Sequence, residues 1–322
     1  MPQGRLTLQS YQSTPPSNAV MTGDVGSATH VYYAPKTGRQ VPIYDVGARA
    51  FAPADIGAAG LTLNLDSSSA NKQLANTLYD IFVENLRTGS PELCVGTAWS
   101  SASPGASSRG SSAEITQVNG IWVNAVGVPI CEYDTNANFS CPLYACTYLG
   151  TMYMTANGQT QQRFGPNSAS SGAGNCLCLY NAYNRVPISS ASLDSNAAYT
   201  YSGTAWRAMD SAGGPLTGNS ISVVDGLGEM DVDATLVDAI KGVGGASPTI
   251  PRIAIDVNSA TATPTFYAEH QSANAVTVTA ALRNSPLLGF WYVQAVESVS
   301  SGASSGTFGG ASQQRLGVQV SD

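Results

Sequence analysis

Charge is what this chain lacks most. Asp, Glu, Lys and Arg make up only 11% of its 322 residues, less than half the usual share of about a quarter. Long helices carry rows of Glu, Lys and Arg on their wet faces, and that supply is missing. Polarity comes instead from Ser, Thr, Asn, Gln and 33 Gly, a balance that favours a β-rich, extracellular-type protein. Basic runs are absent as well. With 14 basic against 21 acidic residues, a net charge of −7 and well-spread arginines, a nucleic-acid partner is excluded, since it would require clustered cations. No apolar run reaches the roughly 18 residues of a membrane span, and the densest patch, 287–293, is strand-sized. The opening MPQGRLTLQS has no apolar h-region, so neither a secretory leader nor membrane insertion is expected. Heptads are absent too, which leaves no coiled-coil stalk.

What is present is a series of short β-type runs separated by turn clusters. In residues 29–45, THVYYAPKTGRQVPIYD, the strand formers Val31, Tyr32 and Tyr33 precede the breaker PKTG, and extended structure resumes at 41–45. The unit reads as a β-hairpin with a loop of about five residues. Segment 67–78 is ambiguous, with Leu74 and Leu78 at helical spacing. Segment 79–84 is clearer. Tyr79, Ile81 and Val83 share one face of a strand and Asp80, Phe82 and Glu84 the other, and 93–99 returns as its partner. Further strands are expected at 121–123, 149–154, 199–201, 204–209, 221–224, 253–255, 266–267, 276–278, 290–296 and 315–320. Segment 232–240 shows β parity through Val232, Ala234, Leu236 and Ile240, although Leu236, Ile240 and Val243 also suit a helix face; strand is preferred. The Ser/Gly stretches 100–113, 165–174 and 300–312 read as exposed, mobile loops. The expectation is an all-β protein of two β-sandwich or jelly-roll-like domains: 1–165, a connector at 166–187, and 188–322.

Cys131, Cys141, Cys146, Cys176 and Cys178 crowd one window, with Cys94 outside it. The spacings C-x9-C, C-x4-C and C-x-C lack paired C-x-x-C knuckles, and His30 and His270 are remote, so disulfides or buried thiols are expected over zinc. Without a leader, such disulfides would form late, for example after release from a lysed cell.

Catalytic signals are sparse. A Ser-His-Asp arrangement needs a histidine base, yet His30 sits at a strand head, His270 lies in polar AEHQSAN, and no G-x-S-x-G elbow occurs. Glycoside hydrolysis needs two carboxylates at a set separation. Asp225, Glu229, Asp231 and Asp233 form the densest acidic cluster, followed by Glu132 and Asp134, but a wet strand face accounts for Asp231 and Asp233. The cluster also departs from a D-x-D-x-D-G calcium loop. Trp99, Trp122, Trp206 and Trp291 are more simply core than a sugar platform. Because Phe290, Trp291 and Tyr292 put aromatics on both faces of one strand, at least one face should meet another domain or a partner subunit. Trp206, Phe290, Trp291 and Tyr292 are therefore the candidate interface or ligand aromatics. No catalytic residue, metal or cofactor is assigned.

A series of landmarks carries a resemblance: GRLTL at 4–8, VYYAPKTGRQVPIYD at 31–45, YDIFVEN at 79–85, GTAWSS at 96–101, VNGIWVNA at 118–125 and YLGTMYMTANGQT at 148–160. The second half adds YNAYNRVP at 180–187, YTYSGTAWRAMD at 199–210 and GLGEMDVDATL at 226–236. In that order, over almost the whole chain, they resemble a family of structural, tail- or fibre-associated proteins of tailed bacteriophages and prophages. The segment carrying Cys131, Cys141 and Cys146 departs from the family pattern. The resemblance implies a virion component assembled in the host cytoplasm: a non-enzymatic part of a tail-fibre, neck or collar appendage, with host-surface attachment as a further role. Its partners would be itself, as a homotrimer, other virion proteins, and a host glycan or protein. The alternatives are a capsid decoration or spike protein and, from another class, a polysaccharide-binding or -cleaving receptor module.

Overall fold

A computed structural model describes residues 1–10, 12–13, 16–17, 19–65, 67, 73–86, 88–126, 130–132, 138–165, 167–168, 175–193, 197–210, 219–243, 249–300, 305–309 and 314–321. The fold is all-β, with no helix among the described residues. Three large sheets carry it. The first runs in the spatial order Ile115–Val118, Ile121–Asn124, Thr147–Tyr153, Leu78–Glu84, Glu92–Ala98, Ile130–Glu132, Asn138–Ser140, and Leu179–Asn181 also pairs with Thr147–Tyr153. The second runs Ala268–Glu269, Pro251–Val257, Gly289–Val299, Ser220–Asp225, Asn175–Leu177, Thr160–Gln162, Val25–Ala28. The third runs Asn167–Ser168, Pro187–Leu193, Arg315–Ser321, Val232–Gly242, Gly306–Phe308, Tyr199–Tyr201, and Val276–Asn284 lies on the other edge of Val232–Gly242.

The parity of the sequence explains these strands. Val232–Gly242 alternates as expected, with Val232, Ala234, Leu236 and Ile240 buried. This settles the helix-or-strand ambiguity, because each residue is paired in a long ladder with Val276–Asn284. Leu78–Glu84 is buried along its full length because its sheet is the middle layer. Tyr79, Ile81 and Val83 pack into one core with Leu6, Val31 and Leu63, while Leu78 and Phe82 enter a second with Trp291 and Val293. Gly289–Val299 is buried along its full length too.

Three expectations are corrected and one open reading is narrowed. The strands at 29–45 do not form a hairpin with each other. His30–Pro35 is already flanked by Gly4–Thr7 and Leu61–Asn64, so Gln40–Asp45 turns away and pairs with Ala50–Asp55. The Asp45 carboxylate accepts the Gly47 and Ala48 amides in that turn, at 2.8 and 3.0 Å. Next, the segment expected as a connector is core. Asn175–Leu177 and Leu179–Asn181 are buried strands, and the second sheet joins Val25–Ala28 to strands of the C-terminal half. Polar GPNSASSGAG suggested a linker, but the apolar CLCLY that follows it is what packs. Residues 73–77 form turns and no helix, and most of 66–72 lies outside the described residues. Finally, the Ser/Gly loop 100–113 is tied down. Ser101 pairs with Ser108, and the backbone N–H of Phe290 donates to the Ser107 hydroxyl at 3.0 Å while that of Gly105 donates to the Phe290 carbonyl at 3.2 Å.

Phe290 is where the two halves meet, its ring stacked on Tyr153 at 4.0 Å and 9°. Phe290→Ala is expected to cost about 3–5 kcal/mol. Because the core is shared, urea unfolding followed by fluorescence and by circular dichroism should remain one coincident transition. Two separated transitions would contradict the shared core.

Candidate functional site

The interior holds two charged clusters that the sequence did not announce. In the first, Asp80 on Leu78–Glu84 is almost fully buried and takes the Arg109 guanidinium in a two-point contact, at 2.7 Å from Nε and 3.2 Å from an Nη. The same Nη donates to the Gly226 carbonyl at 2.5 Å, and the guanidinium lies 4.2 Å from the Trp99 ring centre. Asp80 also accepts the Thr151 hydroxyl at 2.6 Å, and that hydroxyl is 2.7 Å from the Tyr148 oxygen. Burial alone would lower the Arg109 pKa, but Asp80 outweighs it and holds it above the usual arginine value. Burial, aided by Asp80, lifts Tyr148 well above a normal phenol. The cluster therefore joins a loop, two strands of the first sheet and the turn after Ser220–Asp225, with Asp80, Arg109, Thr151 and Tyr148 partnered from within and the buried Trp99 Nε1 left without a hydrogen bond among the described residues.

The second cluster centres on Glu297 in Gly289–Val299. Its carboxylate is fully buried and accepts Arg207 at 2.6–2.7 Å and the Tyr199 hydroxyl at 2.6 Å. Burial lifts Glu297 from the ordinary 4.5 to about 7, against the opposing pull of the Tyr199 hydrogen bond and of Arg207. Tyr199 is itself raised by burial and by Glu297. The Arg207 guanidinium stands 3.8 Å over the Tyr201 ring. Such a displaced pKa is a common mark of function, but here the carboxylate has no exposed face.

The sequence-derived candidates fall as follows. Cys141 pairs with Cys146 and Cys176 with Cys178, at Cα separations of 6.2 and 5.1 Å, and Cys94 is also disulfide-bonded. Cys131 lies on the strand Ile130–Glu132, its side chain outside the description. Phe290, Trp291 and Tyr292 were expected to meet another domain or a partner subunit, or to serve as ligand aromatics. They are buried within the chain, because the strand's second face is covered by the chain's own N-terminal half. Trp206 is nearly buried, packed with Ala254 and Val296 and 5.9 Å from the Tyr267 ring.

The acidic cluster is dispersed among structural roles. Asp225 is buried and accepts the amides of Leu227, Gly228 and Met230 at 2.7–3.0 Å. Glu229 pairs with Arg185, and Asp231 and Asp233 with Arg283. The second acidic pair, Glu132 and Asp134, lies outside the described side chains. His30 bonds its neighbour Thr29 at 2.9 Å.

Among the described residues the outer face of the third sheet carries an open groove of about 410 Å³. Its floor follows the register rung Ala191, Gly317, Thr235 across three strands. Gln319 and Asp233 rise on one side, Arg315 on the other, and Phe164 closes one end.

Comparison with known proteins is sparse. No protein-family model matches the chain, and no curated protein does. Among solved structures it is similar to two crystal structures of an exo-beta-1,3-galactanase from Phanerochaete chrysosporium. One, an E208A form with beta-1,3-galactotriose, has 8% identity, and the other, with galactose, has 9%; each covers 98% of this chain and all of that chain at a TM-score of 0.18. A likeness of that size carries no argument about fold or activity.

Two measurements check the clusters. Arg109→Met strands a buried carboxylate and should cost about 3–5 kcal/mol in chemical denaturation, whereas the double variant with Asp80→Asn should recover part of that loss. For Glu297 the folded-state pKa is the higher one, so between pH 4.5 and 7 the folded chain holds more proton than the unfolded chain. Stability should therefore fall as pH rises through that window, by on the order of 1–3 kcal/mol. Glu297→Gln should flatten that part of the profile; an unchanged slope would refute the assignment.

Proposed function

We propose that this chain is a non-enzymatic structural component of a tailed-phage virion, a building block of a tail-fibre, neck or collar appendage. One observation carries the reading: the interior carboxylates are used as ties within the fold, Asp80 to Arg109 of the loop 100–113, and Glu297 to Arg207 on the adjacent strand and to Tyr199 of the third sheet. The landmarks of the phage resemblance agree with an architectural part, since YDIFVEN and YLGTMYMTANGQT supply central strands of the first sheet.

Self-association has a route in the hairpin Gln40–Asp45 and Ala50–Asp55, a separate two-stranded sheet. Its outer strand is largely exposed and, among the described residues, pairs on one side only, the kind of edge that another chain covers. A homotrimer built on such contacts, joined to other virion proteins, is the assembly proposed. Light scattering on the purified chain should give three times the monomer mass, and particles made without the chain should lack an appendage in image reconstructions. Density on the head would favour the decoration-protein alternative. Turnover of a glycan or ester that vanishes on replacing a single acidic or imidazole side chain would overturn the structural reading.

A further inference from the structure

The groove on the third sheet has a feature that internal packing leaves unexplained. Eight glycines lie within described strands: Gly4, Gly26, Gly96, Gly150, Gly242, Gly289, Gly306 and Gly317. At seven of them an added Cβ would come within 3.0 Å of another atom. At Gly317 it would meet only the Thr235 carbonyl oxygen, at 3.9 Å, and the backbone there is not left-handed. Glycine weakens a strand interior, and without a bulge or internal crowding it marks a place where something else approaches closely. Gly317 lies in the groove floor with small neighbours, Ala191 and Thr235.

We infer that this trough binds a neutral, linear oligosaccharide laid across the strands. It crosses three strands, a span of about 10 Å, and its volume of about 410 Å³ falls within the usual range for ligand sites. The walls offer both signs of hydrogen-bonding group. Arg315 and Gln319 face the trough with no side-chain partner among the described residues, and Asp233 adds an acceptor whose nearest cation, Arg283, is 3.9 Å away. Phe164 supplies an apolar ring at one end. A polyanion would meet the Asp233 carboxylate, and an extended peptide would pair with a sheet edge before a sheet face. A hydroxyl-rich, uncharged chain suits walls of mixed sign over a flat, small-residue floor. The inference does not depend on a virion role.

The test is calorimetry and a glycan array on the full chain, with neutral gluco-, galacto- and manno-oligosaccharides of three to six rings as probes. Saturable binding of at least one is expected. Gly317→Leu should abolish it or weaken it at least tenfold while keeping the circular dichroism spectrum and a melting temperature at or above that of the unaltered chain. Arg315→Ala and Gln319→Ala, both exposed, provide the check if Gly317→Leu fails to fold, and each should weaken binding several-fold. No binding at millimolar concentration, binding unmoved by these changes, or binding confined to anionic glycans would each overturn the inference.

Discussion

The ion pair between Asp80 and Arg109 is the constraint on which the rest of the structure depends. A carboxylate in the middle of a fully covered strand has no water to turn to, and its desolvation is compensated only by a cation held in place. Arg109 arrives from a loop with no apolar anchor, yet its position is fixed by Asp80, the Gly226 carbonyl and the Trp99 ring. The loop that carries it also clasps the backbone of Phe290 through Ser107 and Gly105. One charge pair thus sets the separation of the first sheet from the strands of the C-terminal half.

The same logic accounts for a composition so poor in charge. Where sheets are stacked so that central strands are covered on both faces, few positions remain where Lys or Glu is wet. The charged groups that stay inside must come as satisfied sets. Glu297 with Arg207 and Tyr199 is one such set, and Asp225 bound by three backbone amides is another. Neither presents a reactive face, and both hold strands and turns in register. The surface proposed for recognition is the outer face of the third sheet, where Ser189, Asp233, Thr235, Arg315 and Gln319 stand around small residues.

Strands were legible wherever side-chain parity is strong. Residues 79–84, 93–98, 232–240 and 290–296 all lie on observed strands, and only Trp99 of the expected 93–99 falls outside, because alternation is a local property. The crowding of cysteines likewise pointed to disulfides before any partner could be named. What misled was inference from local polarity. The segments 100–113 and 166–187 read as loop and linker, yet Ser hydroxyls in the first bond to backbone groups, and a short apolar run in the second becomes buried strand. Arg109 carried no signal at all, since the residue that fixes it is 29 positions away.

By itself the sequence determined the class of the protein: all-β, free of long helices, poor in charge, punctuated by Gly and Ser turns. These follow from propensities and alternation, which each short segment carries on its own. Only the tertiary structure decided which strands pair, which polar groups meet inside, and where the outer face is left hollow. Pairing is a choice among distant edges. His30–Pro35 takes Gly4–Thr7 and Leu61–Asn64 as neighbours because the long-range packing of Leu6, Val31 and Leu63 into one core favours that pairing over the nearer strand Gln40–Asp45.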